Sequence, residues 1–243
     1  MWDRQVVHMR RLIPLVIGVL CLIGFALLSK FEDRDALRRL DFAVTVKVQE
    51  SIDNSSHLRV AALVGNIMEG ATFFASPGFT VAVVMAITAA AAYDRKQKRI
   101  RFRAAVIPLA LFVLVLIEIV GKSIVHHPSP PFGMIKNPES MFPADYINEQ
   151  YSYPSGHAAR AAFMAFVLFA LAELRGFWQG RRNPVRWGVA LFSLACVATV
   201  SLSRIYLGHH WFSDVAGGLL IGLGTGSIAA SVLLLHASRP RQA

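Results

Sequence analysis

Two stretches of the sequence place histidines beside residues that bind anions. Ser155 and Gly156 directly precede His157 at the start of an apolar run. Further along, Arg204 stands six positions before His210. A serine before an apolar run is a favourable helix N-cap, the free N–H groups of a helix N-terminus bind phosphate, and glycine lets an anion approach the backbone closely. Histidines beside such groups predict phosphoryl-transfer chemistry.

The two histidines have different neighbours, which suits them to different roles. Asp214 stands four residues after His210, one helical turn away, where its carboxylate can hold one ring nitrogen and leave the other as a nucleophile. His157 has no carboxylate within a turn in the sequence, and we expect it to protonate the leaving oxygen. Lys122 and Arg204 would supply fixed positive charge for the phosphoryl oxygens. The histidine spacing matches no common zinc motif, so we expect no metal.

The segments that carry these residues are predicted to lie in a membrane. Of the 243 residues, 55% are hydrophobic and only 16% are charged, whereas an average soluble domain has about 25% charged residues. The formal net charge is +10, but the basic residues lie in short segments between apolar runs. A nucleic-acid partner is therefore not expected. Cys21 and Cys196 both lie inside apolar runs, so no disulfide framework is expected.

Six apolar runs are long enough, or nearly so, to cross a hydrocarbon core, which takes about 20 helical residues. We expect helices, because backbone polar groups in lipid must be satisfied within the element. Residues 31–58 look amphipathic and residues 59–74 interfacial or partly embedded. The sequence therefore predicts an all-α, six-transmembrane-helix integral membrane bundle, a single domain over residues 1–243, with an outer-side amphipathic or interfacial helical segment. The predicted spans are 12–28, 77–93, 104–125, 156–174, 187–202 and 213–236.

The distribution of Lys and Arg predicts the orientation of this bundle. With six spans, the N-terminus, residues 94–103, residues 175–186 and the C-terminus share one side, and they hold 15 of the 25 Lys and Arg residues. The positive-inside rule makes that side cytoplasmic. Every candidate site residue then lies at a helix end on the opposite side. We expect a multi-pass protein of the cell (inner) membrane, with cytoplasmic termini and a site on the periplasmic or extracellular side.

At these residues the sequence resembles the type 2 phosphatidic acid phosphatase superfamily, which also includes vanadium haloperoxidases. The family signature PSGH is intact at residues 154–157, and the signature SRxxxxxHxxxD is intact from Ser203 to Asp214. The resemblance implies a reaction without metal or cofactor, in which His210 attacks phosphorus to form a phosphohistidine and His157 acts as the acid. It implies phosphate-binding roles for Lys122, Ser155, Gly156 and Arg204.

The first family signature, KxxxxxxRP, is incomplete in this chain. Ser129 stands where the family has the arginine that follows Lys122 by seven positions. Loss of one charge-assisted hydrogen bond would cost about 1.5–3 kcal/mol of phosphate binding. Three residues are candidates for an auxiliary phosphate contact: Ser129 itself, His127 two positions before it, and Arg160 in the helix after His157. For Arg160 the alternative interpretation is a structural ion pair with Glu118.

The function that follows is hydrolysis of a lipid phosphate or diphosphate, with that lipid and the surrounding membrane lipids as the partners. An isoprenoid diphosphate such as undecaprenyl diphosphate fits an outward site, since recycling of that carrier requires one; a phospholipid phosphate also fits. Two other functions stay open. One is a lipid phosphotransferase, and the other is a catalytically weakened lipid-phosphate-binding membrane protein, for which Ser129 is the reason.

Overall fold

The structure is a computed structural model of the chain and describes residues 2–54, 58–94, 99–136, 151–174 and 184–236. Within those ranges nearly all regular structure is helical, apart from a two-residue antiparallel pairing of β1 (Tyr93–Asp94) with β2 (Arg99–Ile100). Short 3-10 turns cover Phe102–Ala105 and Phe132–Met134. The helices are α1 (Trp2–Phe31), α2 (Asp35–Asp53), α3 (Leu58–Phe73), α4 (Pro77–Ala92), α5 (Val106–Ile124), α6 (Gly156–Leu174), α7 (Pro184–Tyr206) and α8 (Phe212–His236).

All six predicted apolar runs are helical, but the count of six membrane spans is not confirmed. Helices α3 and α4 are long and apolar enough to cross a membrane only when they are taken together. They are bent by 58° at their junction, as in a broken span or a re-entrant loop. Helix α6 contributes a shorter apolar stretch, Gly156–Ala172. The described residues therefore give four candidate spans, or five with the bent pair. The four are Leu12–Phe31, Phe102–Ile124, Trp187–Tyr206 and Phe212–Leu234.

The predicted membrane orientation stays a prediction. Much of the basic charge on which it depends lies outside the described residues. This holds for Arg95, Lys96, Lys98, Arg175, Arg181, Arg182, Arg239 and Arg241.

The junction between α3 and α4 has a clear local cause. Proline stands at the start of α4, where its missing N–H is tolerated. Ser76 caps that helix by accepting a hydrogen bond from the N–H of Phe79 at 3.4 Å. The segment predicted to be interfacial is thus a regular helix, α3, that ends at Phe73 and changes direction before Pro77.

Helix α2 confirms the predicted helical segment after the first span but turns its polar side inwards. Asp41 and Thr45 are buried, whereas Leu40 and Phe42 are 46% and 54% exposed. A carboxylate tolerates burial only where hydrogen bonds compensate for the lost water. The backbone N–H and the hydroxyl of Ser213, at the start of α8, supply those bonds to Asp41.

Helix α8 lies at the centre of the bundle, packed chiefly against α1 and α6. Glycines make this packing close: a Cβ on Gly218 would overlap the carbonyl oxygen of Ser155, and one on Gly222 would overlap that of Ala159. Small residues in the last apolar run thus allow close helix packing. As a result the beginnings of α6 and α8 touch, and the N–H of Ser155 donates to the carbonyl oxygen of Asp214 at 2.9 Å.

Candidate active site

The ends of three helices meet at one place in the bundle. Helix α7 ends shortly after Arg204, whose carbonyl oxygen accepts the backbone N–H groups of His209 and His210 at 3.1 and 3.2 Å. The chain then turns through Gly208, which has φ +70° and no room for a Cβ beside the carbonyl of Met134. This turn carries His210 towards the first residues of α8, including Asp214.

The predicted pairing of His210 with Asp214 is present. His210 Nδ1 lies 3.5 Å from Asp214 Oδ2, and both side chains are buried. The distance is longer than that of a strong hydrogen bond, as is common for catalytic pairs before substrate binds. Asp214 Oδ2 also accepts the backbone N–H of Trp211 at 2.8 Å. A carboxylate at Nδ1 leaves Nε2 of His210 as the nitrogen available for attack.

Two of the predicted phosphate-binding residues contact this pair through the backbone: the Ser155 N–H donates to the Asp214 carbonyl oxygen, and the Arg204 carbonyl oxygen accepts the His210 N–H. Arg204 is buried in the last turn of α7, and His157 is buried in the first turn of α6. The hydroxyl oxygen of Ser155 is buried and has no hydrogen-bond partner among the described residues, which suits a group that waits for a ligand. Lys122 lies half-buried in the last turn of α5.

A family model described as the PAP2 superfamily matches residues 103–236, more than half of the chain, and these residues hold every side chain of the predicted site. This chain belongs to the PAP2 superfamily. The expected enzyme class, a membrane hydrolase that acts on a lipid phosphate, is thereby confirmed at the level of the family.

One solved structure is similar over most of its length. It is the crystal structure of the first transmembrane PAP2 type phosphatidylglycerolphosphate phosphatase from Bacillus subtilis. The TM-score is 0.66 at 21% sequence identity, over 87% of this chain and 93% of that chain. The similarity shows that this PAP2 protein shares the fold of a multi-pass membrane protein.

Asp214 of this PAP2 protein contacts a second histidine that was expected elsewhere. His127 was predicted as an auxiliary phosphate contact, yet it is buried with Nδ1 2.9 Å from Asp214 Oδ1 and 3.1 Å from Glu32 Oε1. Its Nε2 lies 4.0 Å from Asp41 Oδ2. Asp214 therefore presents one oxygen to His127 and the other to His210. A histidine surrounded by carboxylates is not placed to replace the missing phosphate-binding arginine.

Three polar residues of this cluster escaped the sequence analysis. Glu32 and Asp41 lie in the segment predicted to be amphipathic, and Ser213 is the first residue of the last predicted span. In the structure Ser213 N–H donates to Asp41 Oδ1 at 2.8 Å, while its Oγ lies 2.6 Å from Glu32 Oε1 and 2.8 Å from Asp41 Oδ2. The signal available in the sequence was the position of Asp41 between two apolar residues, Leu40 and Phe42.

Burial and close charges change the acidity of this cluster. Burial raises the pKa of Glu32 to about 7, although the Ser213 hydrogen bond and the His127 charge act in the opposite direction. Burial likewise raises the pKa of Asp41 against its Ser213 hydrogen bonds. Burial by itself lowers the pKa of His127, but the Asp214 hydrogen bond and the three surrounding carboxylates outweigh it and raise that pKa above its usual value. At neutral pH we expect a charged His127 beside a Glu32 that readily holds a proton.

The same cluster contains side-chain types that bind metals. Within the described ranges, Glu32, His127 and Asp214 form a group in which one ligand atom from each lies within 4.8 Å of the others. The distances from His127 Nδ1 to the two carboxylate oxygens are those of hydrogen bonds. The arrangement fits a proton-bridged network.

The space beside the α-carbon of Gly156 is taken up by a protein side chain. Glycine was expected to let the substrate phosphate approach the backbone, but a Cβ on Gly156 would overlap the carboxylate of Glu118 on α5. A negative charge is favourable at the first turn of a helix, so α6 itself stabilises Glu118 there. Glycine at this position therefore accommodates a protein carboxylate.

Arg160 completes this arrangement as the structural partner of Glu118. Its Nη1 lies 2.9 Å from Glu118 Oε2, and its Nε donates to the carbonyl oxygen of Ala75 at 3.0 Å, in the break between α3 and α4. The structural ion pair, which was the alternative interpretation of Arg160, is present. Both side chains are largely buried, so the pair joins α5, α6 and the α3–α4 junction.

Replacing Arg160 with alanine is expected to reduce stability more than it reduces substrate affinity. The change leaves Glu118 buried without its partner, and breaking one side of a buried pair costs about 3–5 kcal/mol of unfolding free energy. Thermal unfolding in detergent measures the loss. The double variant Glu118→Ala/Arg160→Ala is the matched control and should recover part of the melting temperature. An unchanged melting temperature with a KM raised tenfold or more would instead place Arg160 on the substrate.

Proposed function

We propose that this PAP2 protein hydrolyses a lipid phosphate or diphosphate at the outer face of the cell membrane, through a phosphohistidine and without a metal ion. The observation that carries the proposal is the convergence of Arg204, His210 and Asp214 with the Ser155–His157 turn where α6, α7 and α8 meet. The unpartnered buried hydroxyl of Ser155 supports a phosphate site at this place. Both chain termini would then face the cytoplasm, in keeping with the basic segments.

The reaction would proceed in two displacements at phosphorus. In the first, His210 Nε2 forms a bond to phosphorus while the bond to the lipid or phosphate leaving group breaks, and His157 gives its proton to the leaving oxygen. Asp214 stabilises the imidazolium that forms on His210. In the second, His157 accepts a proton from water as the water oxygen attacks phosphorus, and His210 leaves. The phosphoryl charge would be held by Lys122, Ser155, the backbone N–H of Gly156, and Arg204.

The substrate we favour is an isoprenoid diphosphate such as undecaprenyl diphosphate. An outward-facing site suits a carrier lipid that must be dephosphorylated on that side of the membrane. The similar Bacillus subtilis protein acts on phosphatidylglycerolphosphate, and a phospholipid phosphate is therefore the second substrate to test. Ser129 supports a separate function, lipid-phosphate binding with weakened catalysis, because one phosphate-binding charge is absent.

The deciding experiment measures phosphate release by detergent-purified protein in EDTA. The lipids are undecaprenyl diphosphate, phosphatidylglycerolphosphate and phosphatidic acid, each with and without a second lipid as phosphoryl acceptor. We expect phosphate release that survives EDTA. We also expect undecaprenyl diphosphate to be hydrolysed about tenfold faster than the other lipids, a selectivity that apolar contacts with the lipid chain can provide. Release abolished by EDTA would contradict the metal-free mechanism. Phosphate recovered only on the acceptor lipid would identify a phosphotransferase, and binding without turnover would identify the weakened protein.

A further inference from the structure

One hydroxyl group in the cluster behind the site serves two carboxylates. Ser213 Oγ lies 2.6 Å from Glu32 Oε1 and 2.8 Å from Asp41 Oδ2. A hydroxyl carries one hydrogen and can donate only once, so the second contact needs a hydrogen on a carboxyl oxygen. Asp41 already accepts the Ser213 N–H through Oδ1, as an ionised carboxylate does. The extra hydrogen bond from the Ser213 N–H favours the ionised form of Asp41, so we assign the additional proton to Glu32, which donates to Ser213, while Ser213 in turn donates to Asp41.

A neutral Glu32 decides where His127 directs its proton. His127 Nδ1 faces Asp214 Oδ1 at 2.9 Å and Glu32 Oε1 at 3.1 Å, and one N–H cannot serve both equally. A carboxylate is a stronger acceptor than a carboxylic acid, so the bond goes to Asp214. The pKa of Glu32, raised by burial to about 7, agrees with this assignment.

Two donors then fix the plane of the Asp214 carboxylate. His127 holds Oδ1 at 2.9 Å, and the backbone N–H of Trp211 holds Oδ2 at 2.8 Å. With both oxygens held, Oδ2 is directed at His210 Nδ1, 3.5 Å away. The charged or titratable groups that face His127 are Glu32 from the turn after α1, Asp41 from α2 and Asp214 from α8, with His210 beyond Asp214.

We propose that His127, supported by a protonated Glu32 and by Asp41, is a positioning residue that fixes Asp214 and through it the nucleophile His210. The inference rests on the proposed function. Glu32 and Asp41 lie outside the residues 103–236 that match the family model, so the turn after α1 and helix α2 would contribute to the reaction in this chain.

The experiment compares His127→Leu with the conservative His127→Asn, whose amide N–H occupies about the place of Nδ1. For His127→Leu we expect kcat to fall about 30-fold with KM within twofold, because a misoriented catalytic group costs up to about a hundredfold. His127→Asn should retain kcat within about threefold. In an Asp214→Asn background, measured by single turnover, His127→Leu should have no further effect. Glu32→Gln is the matched control for the neutral acid and should keep kcat within about twofold, since its amide also donates to Ser213.

Three results would overturn the proposal, provided that thermal unfolding shows each variant to be folded. The first is an equal loss of kcat in His127→Leu and His127→Asn. The second is a loss of kcat on His127→Leu that is as large in the Asp214→Asn background as in the wild type. The third is wild-type activity that depends both on added Mn²⁺ or Zn²⁺ and on Glu32. If the wild type releases no phosphate, the proposed function fails, but the positioning role can still be tested. The measured quantity is then the affinity for vanadate, a mimic of five-coordinate phosphorus, in place of kcat. His127→Leu should then weaken vanadate at least tenfold and inorganic phosphate less than twofold; equal changes would overturn the positioning role.

Discussion

Replacement of His210 by alanine is expected to reduce phosphate release by about a thousandfold or more, because it removes the group that forms the bond to phosphorus. Initial rates on the preferred lipid measure this loss. A second readout follows from the chemistry: substrate labelled with ³²P should leave acid-labile, base-stable label on the wild-type protein and none on the variant. The lost rate and the lost label should appear together, since both depend on the same nitrogen.

The neighbouring histidine provides the matched control for this variant. His209 contributes its backbone N–H to the Arg204 carbonyl, and alanine keeps that bond. Burial, together with the charge of Arg204, lowers the pKa of His209 to about 3, so its side chain is neutral throughout the working range. We expect His209→Ala to retain activity within about fivefold, as changes away from the reacting atoms usually do. Label on His210→Ala, or a rate above a tenth of wild type, would exclude His210 as the nucleophile.

The second large effect is expected at His157, and it should depend on the leaving group. A lipid alkoxide or a phosphate leaves poorly without a proton, and general acid catalysis contributes about 100- to 10,000-fold. Loss of His157 should therefore reduce turnover of the lipid by about a thousandfold. An aryl phosphate such as p-nitrophenyl phosphate needs no proton to leave, so His210 can still be phosphorylated. Because the second step lacks its base, the phosphohistidine should accumulate.

A burst experiment tests this assignment directly. His157→Ala mixed with p-nitrophenyl phosphate should release one equivalent of nitrophenol per protein and then stop, whereas wild type should turn over continuously. The double variant His157→Ala/His210→Ala is the control and should show no burst. An equal loss on lipid and aryl phosphate, without a burst, would mean that His157 has a role other than proton transfer.

The sequence by itself determined the parts of this protein that depend on local spacing. The four-residue separation of His210 and Asp214 predicted their pairing, which is present with His210 in the turn before α8 and Asp214 in its first turn. Ser155 and His157 precede an apolar run, and they begin a helix. Apolar run length and charge content determined the all-α membrane class, because lipid admits few backbone arrangements. The family followed from the same local motifs.

The tertiary structure alone decided which distant polar groups share a site. Glu32 and Ser213 are 181 residues apart in sequence, and His127 and Asp214 are 87 apart, yet each pair is within hydrogen-bond distance. Their contact depends on how glycine-rich α8 packs against its neighbouring helices. The hydrophobic pattern of the sequence does not indicate which helices these are. The placement of Glu118 over Gly156 is of the same kind. A carboxylate in a mainly apolar chain must find a donor somewhere, but only the assembled bundle determines which donor it finds.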